Sequence, residues 1–104
     1  MLVIVPSGPG ADSGSISAGT TDLPGRDTMY RVVAFSLTNT SASNCGVTVY
    51  VSDDTTDIAI TSLDFTLKPG QAYVRDSPTI IPANSFVRII VTGGGTLDYY
   101  FSIM

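Results

Sequence analysis

The stretch "VVAFSLTNTSASNCGVTVYVSDD", residues 32 to 54, decides the fold class. It contains two runs in which apolar and polar side chains alternate, joined by a loop of small polar residues. In the first run Val33, Phe35 and Leu37 share one face, because successive strand residues point to opposite sides. The second run, residues 47 to 53, alternates valine with polar residues in the same way. The stretch predicts a β-hairpin with one matched apolar face.

Outward from this stretch, turns separate further alternating runs. The segment "FVRIIVT", residues 86 to 92, is partly apolar on both faces and predicts a central, covered strand. The segment "TLDYYFSIM", residues 96 to 104, predicts a closing strand with one buried face. Earlier in the chain, Pro69 and Gly70 are the preferred central pair of a type II turn. In residues 57 to 67 the apolar side chains change parity, which predicts a β-bulge or a strand break.

The N-terminal quarter of the chain lacks clear alternation. Residues 2 to 6, "LVIVP", predict a short strand, whereas residues 7 to 19, "SGPGADSGSISAG", are rich in Gly and Ser. The latter segment is interpreted as a loop between the first strand and the main sandwich, or as an arm that adds a strand to a neighbouring subunit. We therefore divide a single domain into two parts. Residues 1–27 comprise the N-terminal strand and a Gly- and Ser-rich lead-in or arm, and residues 28–104 form the sandwich core.

The composition supports an all-β fold. Of 104 residues, 43% are hydrophobic and only 13% are charged, and every one of the nine acidic residues is Asp. Glu, which populates helix surfaces, is absent and Lys occurs once, as Lys68, whereas Ser, Thr, Asn and Gly are typical of turns and strand edges. We predict a two-sheet antiparallel β-sandwich of about seven to eight short strands, immunoglobulin-like or jelly-roll in type.

Several function classes conflict with the residue inventory. The chain has no His and no Glu, so the usual general base and zinc ligand are missing. The single cysteine, Cys45, has no internal disulfide partner and no basic neighbour to lower its pKa. We predict neither enzymatic activity nor a cofactor. The net charge of -4 and the scattered Arg residues argue against nucleic-acid binding. The N-terminal apolar run is too short for a signal peptide or a membrane span, so we expect synthesis in the cytoplasm and no membrane contact.

One acidic turn raises the question of a metal. "DDTTD" places Asp53, Asp54 and Asp57 within five residues, together with threonine and backbone oxygens that calcium accepts. The spacing lacks the alternating ligands, central Gly and distal Glu of an EF-hand loop. Solvated turn aspartates are the preferred interpretation, with calcium as the alternative.

Two residue types predict contacts with other molecules. Tyr50 and Tyr100 fall on the outward parity of their strands, where tyrosine serves as a rigid interface anchor or stacks on sugars. Arg31, Arg75 and Arg88 lie within or beside strands, and Arg is enriched at protein interfaces. Tyr73 would join the two outward tyrosines in a sugar-binding site only if the three side chains cluster.

The order of the segments resembles that of small β-sandwich proteins of tailed bacteriophage particles. The resemblance covers residues 28 to 104 and is carried by "FSLTNTSASNCGVTVYVSDD", then "TLKPGQAYVRD", "IIPANSFVRIIVTGG" and the closing "LDYYFSIM". Each segment alone is a common pattern of turns and strands, and the order of the segments carries the resemblance.

The resemblance implies a virion structural protein on the capsid surface. The implied role is that of a capsid decoration, or cement, protein that binds major capsid subunits and assembles as a homo-oligomer. The alternative is a module of the tail, the head-tail junction or a fibre tip that binds a glycan or protein of the host surface. Strands rich in Ser, Thr and Asn suit such packing, because they form contacts without burying charge.

Overall fold

A computed structural model describes the backbone of residues 4–5 and all of residues 10–104. This part of the chain contains no helix, and therefore no helix that could span a membrane. Its twelve strands are β1 (Ile4–Val5), β2 (Gly10–Ile16), β3 (Gly19–Asp22), β4 (Gly25–Arg26), β5 (Tyr30–Asn39), β6 (Cys45–Ser52), β7 (Asp57–Ala59), β8 (Phe65–Leu67), β9 (Ala72–Arg75), β10 (Thr79–Ile81), β11 (Phe86–Gly93) and β12 (Leu97–Ile103).

The strands form two antiparallel five-stranded sheets that pack against each other. The first sheet has the order β10-β5-β12-β2, and β9 also pairs with β5. The second sheet has the order β3-β11-β6-β7, and β8 also pairs with β6. The strands β1 and β4 form a separate parallel pair. The all-β sandwich prediction is confirmed, although the strand count exceeds the predicted seven to eight.

The predicted hairpin over residues 32 to 54 is wrong. Its first strand, β5, lies in the first sheet, whereas its second strand, β6, lies in the second sheet. The loop between them crosses from one sheet to the other, so the two apolar faces meet across the core instead of lying side by side. Buried Asn39 anchors this loop: its side-chain nitrogen donates to the carbonyls of Ser43 and Leu67, and its oxygen accepts from Ser41.

A β-bulge shifts the inward face of β5. Phe35 and Leu37 are buried as predicted, but the register with β12 changes between Ser102 and Ile103, so Val32 replaces Val33 in the core. In the core Phe35 stacks on Phe101 with ring centroids 4.7 Å apart.

The predicted irregularities in the second half of the chain are confirmed. The parity change in residues 57–67 is a strand break, since β7 and β8 both pair with β6 and are separated by five residues without a ladder. Gly70 has a φ of 76°, and the Gln71 amide donates to the Lys68 carbonyl at 2.9 Å, as a type II turn requires. The strand β11 is central, paired on both sides by β3 and β6.

The loop interpretation of residues 7 to 19 is wrong for most of the segment. Gly10–Ile16 forms the edge strand β2, which pairs with β12 over its whole length. Its small residues are accommodated by large neighbours, since a Cβ on Gly14 would lie 2.9 Å from the Tyr99 hydroxyl. Ile4–Val5 pairs with Gly25–Arg26 of the same chain. The remainder of the predicted arm, residues 1–3 and 6–9, lies outside the described residues.

Candidate interaction surfaces

The outer face of the first sheet carries two neighbouring rows of uncharged side chains. In one row Tyr100 lies opposite Ser13 on β2 and Ser36 on β5, and Ser36 in turn lies opposite Val74 on β9. The next row along the strands has Ser102 between two alanines. We call these two rows the uncharged face, whose members are Ala11, Ser13, Ala34, Ser36, Val74, Tyr100 and Ser102.

Large apolar side chains of the uncharged face are open to solvent. Tyr100 is 51% exposed and Val74 is 69% exposed. Beside them lies a shallow depression of about 140 Å³, whose walls include Ala34 and Ser102. Exposed aromatic and branched side chains next to a depression are typical of protein contact surfaces.

Two charged residues on the outer side of this sheet, Asp98 and Arg31, lie beyond the two ends of the uncharged face. On one side Asp98 contacts the hydroxyl group of Ser15. On the other side Arg31 is exposed and lies opposite Ile80, a residue that is itself 57% exposed. The face is therefore neutral at its centre, negative at one end and positive at the other.

The outer face of the second sheet is acidic. Arg88 on β11 contacts three carboxylates, with Nε 2.7 Å from Asp22 Oδ1, Nη2 3.2 Å from Asp54 Oδ1 and Nη1 3.3 Å from Asp57 Oδ1. The hydrogen bond from Arg88 lowers the pKa of Asp22, and the same bond raises the pKa of Arg88. We call these four residues the Arg88 cluster; it carries one positive and three negative charges.

The three arginines that were predicted as interface residues lie in three different environments. Arg88 is engaged in its cluster, and Arg75 donates from Nη1 to the Ile60 carbonyl, which joins β9 of the first sheet to the segment between β7 and β8. Arg31 remains on an exposed surface. Tyr50 is half-buried and lies opposite Arg88 in the ladder between β6 and β11.

The acidic turn is occupied by contacts within the chain. Asp53 accepts hydrogen bonds from the amides of Thr55 and Thr56, at 2.9 and 2.7 Å, and these bonds lower its pKa. Asp54 and Asp57 face Arg88. Within residues 10–104 no three His, Cys, Asp or Glu side chains are grouped in a way that would hold a metal ion. The geometry does not favour the calcium alternative.

The three tyrosines considered for sugar binding do not cluster. Tyr73 packs against the core aromatics Phe35 and Phe65, at centroid distances of 5.8 and 5.0 Å. Tyr100 lies on the outer face of the first sheet, and Tyr50 belongs to the second sheet. No aromatic platform for a sugar is therefore formed by these residues.

A groove lies at one end of the sandwich, between the turn after β6 and the turn before β11. Its volume is about 640 Å³, and its lining includes Ile58, which is 63% exposed, and the segment from Pro82 to Ser85. Among the described residues that line it, Asp53 is the only carboxylate. The described lining therefore lacks the carboxylate pair that acid–base hydrolysis by two acids would need.

Sequence reasoning did not identify Val74, which completes the Tyr100 row of the uncharged face. The signal was present for Val74, because "AYVR" in β9 is apolar on both parities, as "FVRIIVT" is in β11. Cys45, which lies between the two alternating runs of the sequence, is the first residue of β6 and fully buried. Buried Arg26, whose guanidinium lies 4.6 Å from the Tyr30 ring centroid, also gave no sequence signal.

Comparisons with known proteins extend the description of the fold. No protein-family model matches the chain, and no curated protein matches it. The chain is similar in fold to the Drosophila NLP core. The TM-score is 0.60 at 16% identity, over 90% of this chain and 97% of the NLP chain, and that structure is described in terms of pentamer formation and histone binding. A structure of the infectious bursal disease virus Gx strain matches with a TM-score of 0.39 and 14% identity, over 92% of this chain and 30% of the viral chain.

Proposed function

We propose that the protein is a non-enzymatic structural component of a virus particle. Its role is that of a capsid decoration, or cement, protein, which binds major capsid subunits on the outside of the head and associates with copies of itself. The observation that carries this proposal is the uncharged face, a surface with exposed Tyr100 and Val74 that would be costly to leave in water.

The remaining geometry supports a packing role over a chemical one. The carboxylates of the acidic turn contact Arg88 or backbone amides, and the described lining of the groove includes a single carboxylate. A cement protein needs a rigid sandwich with contact surfaces and no catalytic group. The fold is also compatible with self-association, since the Drosophila NLP core of similar fold is described as a pentamer.

The alternative is a module of the tail, the head-tail junction or a fibre tip that binds a glycan or protein of the host surface. Glycan binding would require an aromatic platform, and Tyr50, Tyr73 and Tyr100 lie in three separate environments. No specific observation favours this alternative, so the decoration role is the stronger hypothesis.

The proposal is tested by mixing the purified protein with phage capsids that lack decoration and sedimenting the particles. We expect binding that saturates at a fixed copy number per capsid and raises the temperature at which capsids release their contents. A protein that stays in the supernatant, yet sediments with host cells or their glycans, would overturn the decoration role.

A further inference from the structure

We propose that the uncharged face is a contact between two copies of this chain. The copies are related by a two-fold axis that lies between them and runs across the strands, perpendicular to the strand direction. The first sheet of one copy then packs face to face on the first sheet of the other, with the strands in opposite directions. This inference deepens the proposed function, on which it rests for the statement that copies associate, and it names the surface and the orientation.

The sizes of the side chains in the two rows favour this orientation. Tyr100 and Val74 belong to one row, and small Ala34 and Ser102 belong to the next, about 7 Å away along the strands. A two-fold axis midway between the rows places the large row of each copy on the small row of the other. The Tyr100 ring then enters the depression of about 140 Å³ on its partner. An axis along the strands would instead oppose large row to large row.

The charges favour the same orientation. Asp98 lies one row beyond the Tyr100 row, and Arg31 lies beyond the alanine row. The axis across the strands brings Asp98 of each copy near Arg31 of the other, twice per dimer. An axis along the strands would bring like charges together. Within the described residues neither Asp98 nor Arg31 forms an ion pair of its own, so both charges are available for this contact.

The extent of the face sets the expected affinity. The face is four strands wide, at about 4.8 Å per strand, and its outward rows span about 20 Å along the strands. Its flat area is therefore about 400 Å² per copy. Interdigitated side chains bury more area than this flat area, but a standard interface buries about 800 Å² per partner. We therefore expect a dimer of micromolar affinity, which is strengthened where copies are concentrated on a particle surface.

The test is sedimentation velocity of the full chain over a concentration series. We expect a monomer–dimer equilibrium for the wild type and a monomer for Tyr100→Lys, which places a charge at the centre of the contact. Tyr50→Lys is the matched control on the other sheet and should dimerise as the wild type does. Circular dichroism and the melting temperature of each variant establish that it is folded.

A charge exchange tests the orientation. Asp98→Arg and Arg31→Asp each replace two attractions by two repulsions, and we expect each to weaken the dimer about tenfold. The double variant restores opposite charges across the axis and should return to within about threefold of the wild type, with a dissociation constant that rises with salt.

Three results would overturn the inference. The first is a wild type that stays monomeric at several hundred micromolar protein, and the second is a dimer that survives Tyr100→Lys. The third is a ring of odd order, because a contact that is the same on both copies joins them two at a time. Capsid binding is measured separately: monomers that coat capsids overturn this contact and the self-association, and leave the capsid-binding role of the proposed function standing. Dimers that do not bind capsids overturn the capsid-binding role and leave this contact standing.

Discussion

Arg88 and Asp22 form a two-pronged ion pair on the outer face of the second sheet, with Nε–Oδ1 at 2.7 Å and Nη2–Oδ2 at 3.0 Å. The pair joins the central strand β11 to the edge strand β3. Both side chains are 17% exposed, so solvent screens the pair less than it would an open surface pair. The pair therefore fastens β3 to the centre of the sheet.

Replacing Arg88 by Met should destabilise the fold. The substitution removes the contacts to three carboxylates and leaves them facing one another, and we expect a loss of about 2 kcal/mol in the free energy of unfolding. Urea titration followed by circular dichroism measures it. Asp54→Asn is the matched control, since Asp54 is 48% exposed at its side chain, and should cost about 0.5 kcal/mol or less. Equal losses in the two variants would contradict a special role for Arg88.

The ion pair also predicts a pH dependence. The pKa of Asp22 in the folded protein lies below its ordinary value of 3.8, so its contribution to stability is present above that value and is lost as the pH falls through the folded pKa. The stability difference between the wild type and Asp22→Asn should be constant above about pH 5 and shrink toward about pH 2.

Asp12 is a control for that experiment, because its contribution to stability should depend on pH in the opposite sense to that of Asp22. Burial raises the pKa of Asp12, so its charged form is disfavoured in the folded state, and its contribution to stability improves as the pH falls. The wild-type stability relative to Asp12→Asn should therefore change with pH in the opposite direction to that for Asp22→Asn. Slopes of the same sign would show that one of the two environments is misassigned.

Replacing Asn39 by Ala should be strongly destabilising. The Asn39 side chain is fully buried, donates at 2.7 and 2.9 Å to two carbonyls, and accepts from the Ser41 amide and hydroxyl. Its removal leaves the buried Leu67 carbonyl without this partner and releases the loop between β5 and β6, and we expect a loss of about 3 kcal/mol. Asn44→Ala, at an exposed site of the same loop, should change stability by about 0.5 kcal/mol or less. Comparable losses for both would indicate that the loop, and not the Asn39 network, sets the stability.

Two adjacent glycines should respond in opposite ways to alanine. A Cβ on Gly95 would lie 2.9 Å from the Ser43 carbonyl oxygen and closer still to the Cys45 sulfur, so Gly95→Ala should cost about 2 kcal/mol. A Cβ on Gly94 meets nothing within 4 Å, so Gly94→Ala should be neutral or slightly stabilising. In thermal unfolding, Cys45→Ala combined with Gly95→Ala should lose less stability than the sum of the single losses. Strict additivity would contradict direct contact.

Calcium should leave the stability of the protein unchanged. Asp53 accepts two backbone amides, and Asp54 and Asp57 face Arg88, so their oxygens are not arranged around a common point. We expect about 5 mM calcium chloride to shift the melting temperature by less than about 1 °C beyond the shift with magnesium chloride. A larger, saturable shift that is specific to calcium would revive the metal site.

The sequence by itself determined the all-β class and several local features, because these follow from signals carried by neighbouring residues. The alternation over residues 96–104 identified the buried face of β12, and the apolar character of residues 86–92 identified β11 as central. Pro69 and Gly70 marked their turn, since fixed and positive φ values are properties of single residues. Tyr100 was correctly placed on an outward face by its parity alone.

Only the tertiary structure decided which strand lies beside which. Alternation reveals which side of a strand is buried, but a strand buried on one side packs equally well beside its successor or across the core from it. The hydrogen-bonding partners are distant in sequence, and β5 and β6 consequently entered opposite sheets. The same reason explains β2, whose small residues carry no apolar period and whose backbone pairs with β12 at the far end of the chain. The uncharged face and the Arg88 cluster are products of this pairing, since each assembles side chains from strands that only the fold brings together.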